Sequence, residues 1–179
     1  VASAAASSSI TLQGLWGTST SNVFAVGSQG TISRWNGVTW NTMVSNDFQE
    51  RDLYAVWGTA EDNVFAVGDS GTVIKFDQDA DDWELDPVDG PFNKTAGLRA
   101  IAGYLDPTAG ATNNKQTRAF ASGIDAKTLF LEDGDWSDAK AGMELDLHDV
   151  WVSESVATAV GDGGTIVRKK TSGWAGEVT

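Results

Sequence analysis

Apolar positions along this chain fall in short bursts separated by glycine, asparagine, aspartate and serine, and the bursts recur in a fixed order. An apolar run closing on Trp-Gly, residues 12–17, is followed by a polar turn at 18–22 and by Val-Phe-Ala-Val-Gly at 23–27. A two-residue link and Gly30 lead into the run 31–35, a second turn, and a segment opening on Trp40. Bursts this short, rich in β-branched and aromatic residues and bounded by turn formers, predict strands joined by hairpins. The order then returns. LWGTSTSNVFAVGSQG at 15–30 has a near copy, VWGTAEDNVFAVGDSG, at 56–71, and the copy runs on through 72–76 to Trp83. A third unit is degraded: IAGY from Ile101, then RAFASG from Arg118, with Ala102 where the others carry Trp16, Trp57 and Trp151. It also carries an inserted polar stretch, LDPTAGATNNKQT, which reads as a surface loop and a candidate for one binding face. The fourth unit keeps VWVSESVATAVGDGG at 150–164 and a closing Trp174.

A period of about 40–50 residues with four strands per unit predicts an all-β fold, a β-propeller of four-stranded blades. The blades are expected at about 12–46, 52–92, 98–142 and 147–179, with residues 1–11 a flexible leader or an added clasp strand. Four blades left open expose apolar sheet faces, so closure into a four-bladed ring is expected, or dimerisation into an eight-bladed one. Gly27, Gly68, Gly123 and Gly161 end the second strands, where a backbone with φ > 0 is expected. The Trp-Gly tryptophans are expected to fill space between neighbouring blades; the other reading is a ring of exposed sugar-stacking platforms.

The pattern VWG…NVFAVG…GTI…NG…W resembles bacterial propeller repeats related to neuraminidase-type repeats and photosystem II assembly-factor-like propellers. Ser33, Gly37, Thr39 and Trp40 match the Asp-box pattern S-x-D-x-G-x-T-W, with Trp35 in the Asp position. The resemblance spans nearly the whole chain. It implies a propeller and leaves function open, because fold does not imply function.

Composition narrows the partners. The 179 residues carry 25 acidic against 12 basic side chains, a formal charge of −13, which repels phosphate backbones and anionic lipid heads. Nucleic acid is excluded as a partner class, and no run approaches the ~20 apolar residues a membrane span needs. With no cysteine there is no thiolate chemistry. The opening VASAAASSS resembles the small-residue zone near a signal-peptide cleavage site, so an extracellular or periplasmic setting is expected.

Candidate chemistry is sparse. The single histidine, His148, stands where the other units have Tyr54 and Arg99, and no nucleophile elbow accompanies it. A sialidase would need three arginines on one carboxylate, but Arg34, Arg51, Arg99, Arg118 and Arg168 lie at different phases of the repeat. The alternation Asp77, Asp79, Asp81, Asp82 is a candidate Ca²⁺ loop, with a solvated acidic hairpin as its plain alternative; an EF-hand would want glycine at Asp82 and glutamate at Val88. Trp35, Trp40, Trp83 and Trp136 are the candidate ligand-stacking residues. The expectation is a non-catalytic binding or scaffold module for a protein or a glycan. The alternatives are a glycosidase-like enzyme and a self-associating surface or fibre component.

Overall fold

A computed structural model describes residues 9–43, 48–89, 96–106, 117–139, 145–170 and 173–178. Residues 1–8, the centre of the third-unit insertion and the Trp174 side chain lie outside the described parts. Each sequence unit folds as an antiparallel sheet in simple up-and-down order. Blade 1 holds β1 (Leu12–Ser19), β2 (Asn22–Gly27), β3 (Ile32–Trp35) and β4 (Trp40–Met43). Blade 2 holds β5 (Leu53–Ala60), β6 (Asn63–Gly68), β7 (Val73–Asp77) and β8 (Asp82–Leu85). The short β9 (Val88–Asp89) then leaves blade 2 and pairs in parallel with β13, so that it becomes a fifth, outermost strand of blade 3. Blade 3 proper is β10 (Leu98–Leu105), β11 (Thr117–Gly123), β12 (Thr128–Glu132) and β13 (Asp135–Asp138). Blade 4 is β14 (Leu147–Val152), β15 (Ala157–Gly161), β16 (Thr165–Lys170) and β17 (Gly173–Val178).

The corner between second and third strands is built alike in all four blades. Gly27, Gly68, Gly123 and Gly161 have extended backbones, with φ from −165° to −173°, which corrects the expectation of positive φ. Their glycine requirement is steric. A Cβ at Gly27 would collide with the carbonyl of Thr11, which receives the N–H of Ser28 at 2.9 Å, and the other blades repeat the arrangement. Positive φ falls just beyond, at Gln29 and Gly30 in blade 1. Neighbouring blades tie these corners down: Asp52 Oδ1 accepts the Gln29 N–H at 2.9 Å, and Asp146 Oδ1 accepts that of Asp125 at 2.9 Å.

Both sheet faces are apolar because residues alternate along each strand. Phe24, Val26 and Ile32 of blade 1 pack against Leu53, Val56, Val64, Ala66 and Trp83 of blade 2. Phe65, Val67 and Val73 meet Leu98, Ile101, Leu129, Leu131 and Trp136 of blade 3, and Phe120 meets Leu147, Val150 and Ala159 of blade 4. The repeated tryptophans follow the same logic. Trp16 lies against Gly58, and Trp57 against Gly103, so Trp57-Gly58 serves two successive blade boundaries. Blade 3 lacks its tryptophan, and blade 4 has Val152 in the glycine position.

The expected closure of four blades into a ring is not found among the described residues. β1 packs on β5, β5 on β10 and β10 on β14, but no packing of that extent joins β14 to β1. Among the described residues the blades form an arc with two open flanks. On the first, Leu12 and Leu15 are 52% and 67% exposed, whereas the counterparts of Leu12 (Leu53, Leu98 and Leu147) and of Leu15 (Val56, Ile101 and Val150) are buried. On the second, Trp151 is 61% exposed and Val160 is exposed beside it.

Because Ala102 and Val152 stand where other boundaries have tryptophan and glycine, Ala102→Trp overpacks the boundary of blades 3 and 4. It is expected to destabilise by about 1–3 kcal/mol, and adding Val152→Gly is expected to recover part of that loss. Urea midpoints of the two single variants and the double variant check the coupling.

Candidate functional site

A groove of about 530 Å³ lies where blades 2 and 3 meet, at the end carrying the β5–β6 hairpin. Thr59, Asp62 and Asn63 line it from that hairpin, Lys75 and Asp77 from β7, Asp79 from the β7–β8 turn, Glu84 from β8, and Leu105 and Thr117 from blade 3. Four carboxylates therefore face one ammonium. At its floor Asn63 is 5% exposed. Its Nδ2 donates to Thr59 Oγ1 at 2.6 Å and to Thr117 Oγ1, while its buried Oδ1 has no partner.

The same position is satisfied in blade 1. There Arg34 Nε donates to Asn22 Oδ1 at 2.8 Å, and Nη1 donates to Asp81 Oδ1 at 3.0 Å. The guanidinium carbon lies 5.2 Å from the ring centres of both Phe24 and Phe76, within cation–π range. Strand register makes Lys75 the counterpart of Arg34, since Phe24 pairs with Arg34 and Phe65 with Lys75. The Lys75 ammonium sits 5.9 Å from the Phe65 ring centre. In blade 3, Arg118 stands at the asparagine position and is ringed by Asp106, Glu132 and Asp133 at 3.4–3.6 Å.

A second cavity, of about 310 Å³, lies at the inner strands. It gathers Gln13, Tyr54, Arg99 and His148, which hold the same position in the four blades, together with Asp146. Arg99 lies over the Tyr54 ring at 4.0 Å, and Tyr54 donates to Asp69 Oδ1 at 2.7 Å. Burial first, and this hydrogen bond second, push the phenol up to about 12. His148 Nε2 is 2.6 Å from Asp162 Oδ1, and both side chains are more than half exposed.

The residues singled out in the sequence separate into three groups. Trp83 and Trp136 are buried, packed edge-on against Phe24 and Phe65, so neither offers a face to a ligand. Trp35 and Trp40 are half-buried on the open flank of blade 1, with ring centres 5.7 Å apart. Trp40 lines an apolar cavity of about 370 Å³ there with Leu12, Leu15 and Ala25. The acidic turn is internally engaged: Asp77 Oδ1 accepts the N–H groups of Asp79 and Ala80, Asp81 pairs with Arg34, and Asp82 Oδ1 accepts the Trp83 N–H. Among the described residues no three His, Cys, Asp or Glu side chains converge as a metal would require. The groove residues Asn63, Lys75 and Glu84 were not singled out, although Lys75 breaks the match with Arg34 in otherwise near-identical repeats.

Among solved structures, YCF48 bound to a D1 peptide superposes with a TM-score of 0.69 at 15% identity, over 94% of this chain and 55% of that one. The chain is an arc of propeller blades. YCF48 from Cyanidioschyzon merolae gives 0.66 at 11% identity, over 95% of this chain and 57% of that one. The WD40 repeats of RRP9 give 0.64 at 9%, over 89% and 49%. This propeller arc thus spans about half the length of the structures it matches. No family model and no curated protein sequence matches it.

Asp86, just beyond β8, accepts the Trp136 Nε1–H at 3.0 Å across the boundary of blades 2 and 3. Burial raises its carboxyl above the ordinary 3.8, outweighing that hydrogen bond. With the folded value raised, ionisation costs stability as pH climbs past 3.8. Asp86→Asn keeps an acceptor for Trp136 and removes the charge. Its thermal midpoint is expected above wild type at pH 7, with the gain vanishing in acid below pH 3.8.

Proposed function

We propose that this propeller arc is a non-catalytic module that binds a protein segment in the groove between blades 2 and 3. The carrying observation is the groove itself, about 530 Å³, open, acidic and floored by a buried asparagine with a spare acceptor. A site of that size with a few convergent polar groups has the character of a ligand site. The fold likeness to a propeller bound to a peptide points the same way. The inner cavity has one imidazole paired to one exposed carboxylate, which supplies neither a nucleophile nor a paired acid and base. The Ala- and Ser-rich opening favours an extracellular or periplasmic setting for this binding.

A second reading, self-association, is favoured by the flanks. At the boundaries of blades 1 and 2 and of blades 2 and 3, a face bearing a tryptophan and a phenylalanine meets a face bearing Leu53 and Val56 or Leu98 and Ile101. The open ends are one of each: Trp151 and Val160 at one, Leu12 and Leu15 at the other. The occupant is a second copy joined head to tail, its blade 4 against this blade 1, and two such contacts close a ring of eight blades.

A peptide array of varied composition probed with the whole chain tests the first reading, with enrichment of cationic segments as the expected result. Retention of neutral or acidic peptides alone would sink it. Light scattering on a sizing column tests the second: twice the 18.9 kDa chain mass is expected. Leu15→Glu is expected to restore the monomer, whereas Val38→Glu, on an exposed turn, leaves the mass unchanged; a monomeric wild type rules the dimer out.

A further inference from the structure

The first and second blades are near copies, so a difference between them at one buried site carries information. In blade 1 the buried Asn22 Oδ1 is satisfied by a guanidinium that also reaches Asp81 and lies between two aromatic rings. In blade 2 the asparagine is kept, with the same bond from its Nδ2 to the threonine four residues earlier. The arginine is replaced by Lys75, which does not bond Asn63, and the carbonyl oxygen is left without a partner. A buried polar atom without a partner is rare enough in folded proteins to require an explanation. Asn63 itself lines an open groove bearing Asp62, Asp77, Asp79 and Glu84, with this oxygen covered.

We propose that this groove is a specific site for an arginine side chain of the bound partner, which takes the place that Arg34 fills within blade 1. The inference rests on the protein-binding reading and names the residue recognised. A guanidinium fits for three reasons. Its planar fork donates in fixed directions, so one N–H meets Asn63 Oδ1 while another reaches a carboxylate. It sheds water more readily than an ammonium. Blade 1 holds the same group on the same type of asparagine at 2.8 Å. Asn63 Oδ1 is covered in the free protein, so the incoming arginine displaces the Lys75 side chain, whose ammonium lies 5.9 Å from the Phe65 ring centre. Lys75 acts as a removable plug, and its stem and charge leave for solvent.

This predicts opposite effects from two substitutions at one position. Lys75→Arg rebuilds the blade 1 arrangement, satisfies Asn63 internally and closes the site. Lys75→Ala removes the plug. The test is a two-dimensional amide NMR titration of the whole chain with the peptide acetyl-Gly-Arg-Gly-amide, with citrulline replacing arginine in the control peptide. Wild type is expected to shift the Asn63 side-chain amide with the arginine peptide and not with citrulline. Lys75→Arg is expected to weaken binding at least about tenfold and to raise the thermal midpoint, and Lys75→Ala to tighten binding. The raised midpoint shows that lost binding comes from a filled site and not from a damaged fold. No shift at Asn63, an equal response to citrulline, or unchanged binding by Lys75→Arg would each overturn the proposal. The probe is an isolated arginine, so the site is tested whether or not an array peptide is found. An array peptide that binds Lys75→Arg as tightly as wild type removes the arginine site and leaves protein binding standing.

Discussion

A four-stranded sheet with apolar residues on both faces is not stable alone, and every feature of this molecule follows from how each face is covered. Alternation along β6 sends Val64 and Ala66 to blade 1 and Phe65 and Val67 to blade 3. The blade is thus a shared wall, and each core belongs to a boundary between two repeats. The outer tryptophans of blades 2 and 3 sit over the phenylalanine of the blade before, Trp83 on Phe24 and Trp136 on Phe65, at 5.6 and 5.8 Å. Burial of that aromatic area, about 25 cal/mol for each Å² removed from water, is the main attraction across these boundaries. The aspartates that cap the preceding blade's corner add direction to it.

Such an architecture has ends. A boundary face with no neighbour keeps its apolar character, because its residues are copies of covered ones. Leu12 and Leu53 illustrate the point: the same residue at the same strand position is half-exposed in one case and fully buried in the other. Trp40 differs from Trp83 in the same way, which is why its exposure is a property of the flank and not evidence of a sugar platform. The parallel strand β9 shows another means of securing a boundary. It leaves blade 2 and completes the outer edge of blade 3, a link in the backbone as well as in side chains.

The fold was legible in the sequence because repetition multiplies a weak signal. A single VFAVG is ambiguous, but its return in register with Trp-Gly and with the corner glycines defines strand order and blade limits. What was not legible depended on contacts between units. Gly27 and its counterparts have extended φ, and glycine is required there by the carbonyl of the residue preceding the first strand, a close approach that no local pattern announces. Ring closure was inferred from the cost of exposed flanks, and the arc carries those flanks uncovered. The acidic turn read as a row of ligands or as a solvated hairpin, and its pairing with neighbours was not legible: Asp77 and Asp82 accept backbone N–H groups, and Asp81 meets Arg34 across the blade boundary.

The groove was the hardest feature to see, since it arises from what one repeat lacks. Near-identical repeats place the same asparagine at the start of β2 and β6, and the polar atom each buries must be answered from the next strand. Arginine answers it in blade 1, and in blade 3 an arginine replaces the asparagine and draws three carboxylates around itself. Blade 2 alone has the asparagine without the guanidinium. A boundary that is fully satisfied has little affinity to spare for anything else, so the place where the repeat is left incomplete is also the place with unspent hydrogen-bonding capacity. The net charge of −13 works in the same direction, because excess carboxylates gathered at the rim attract the cation that the sequence itself omits.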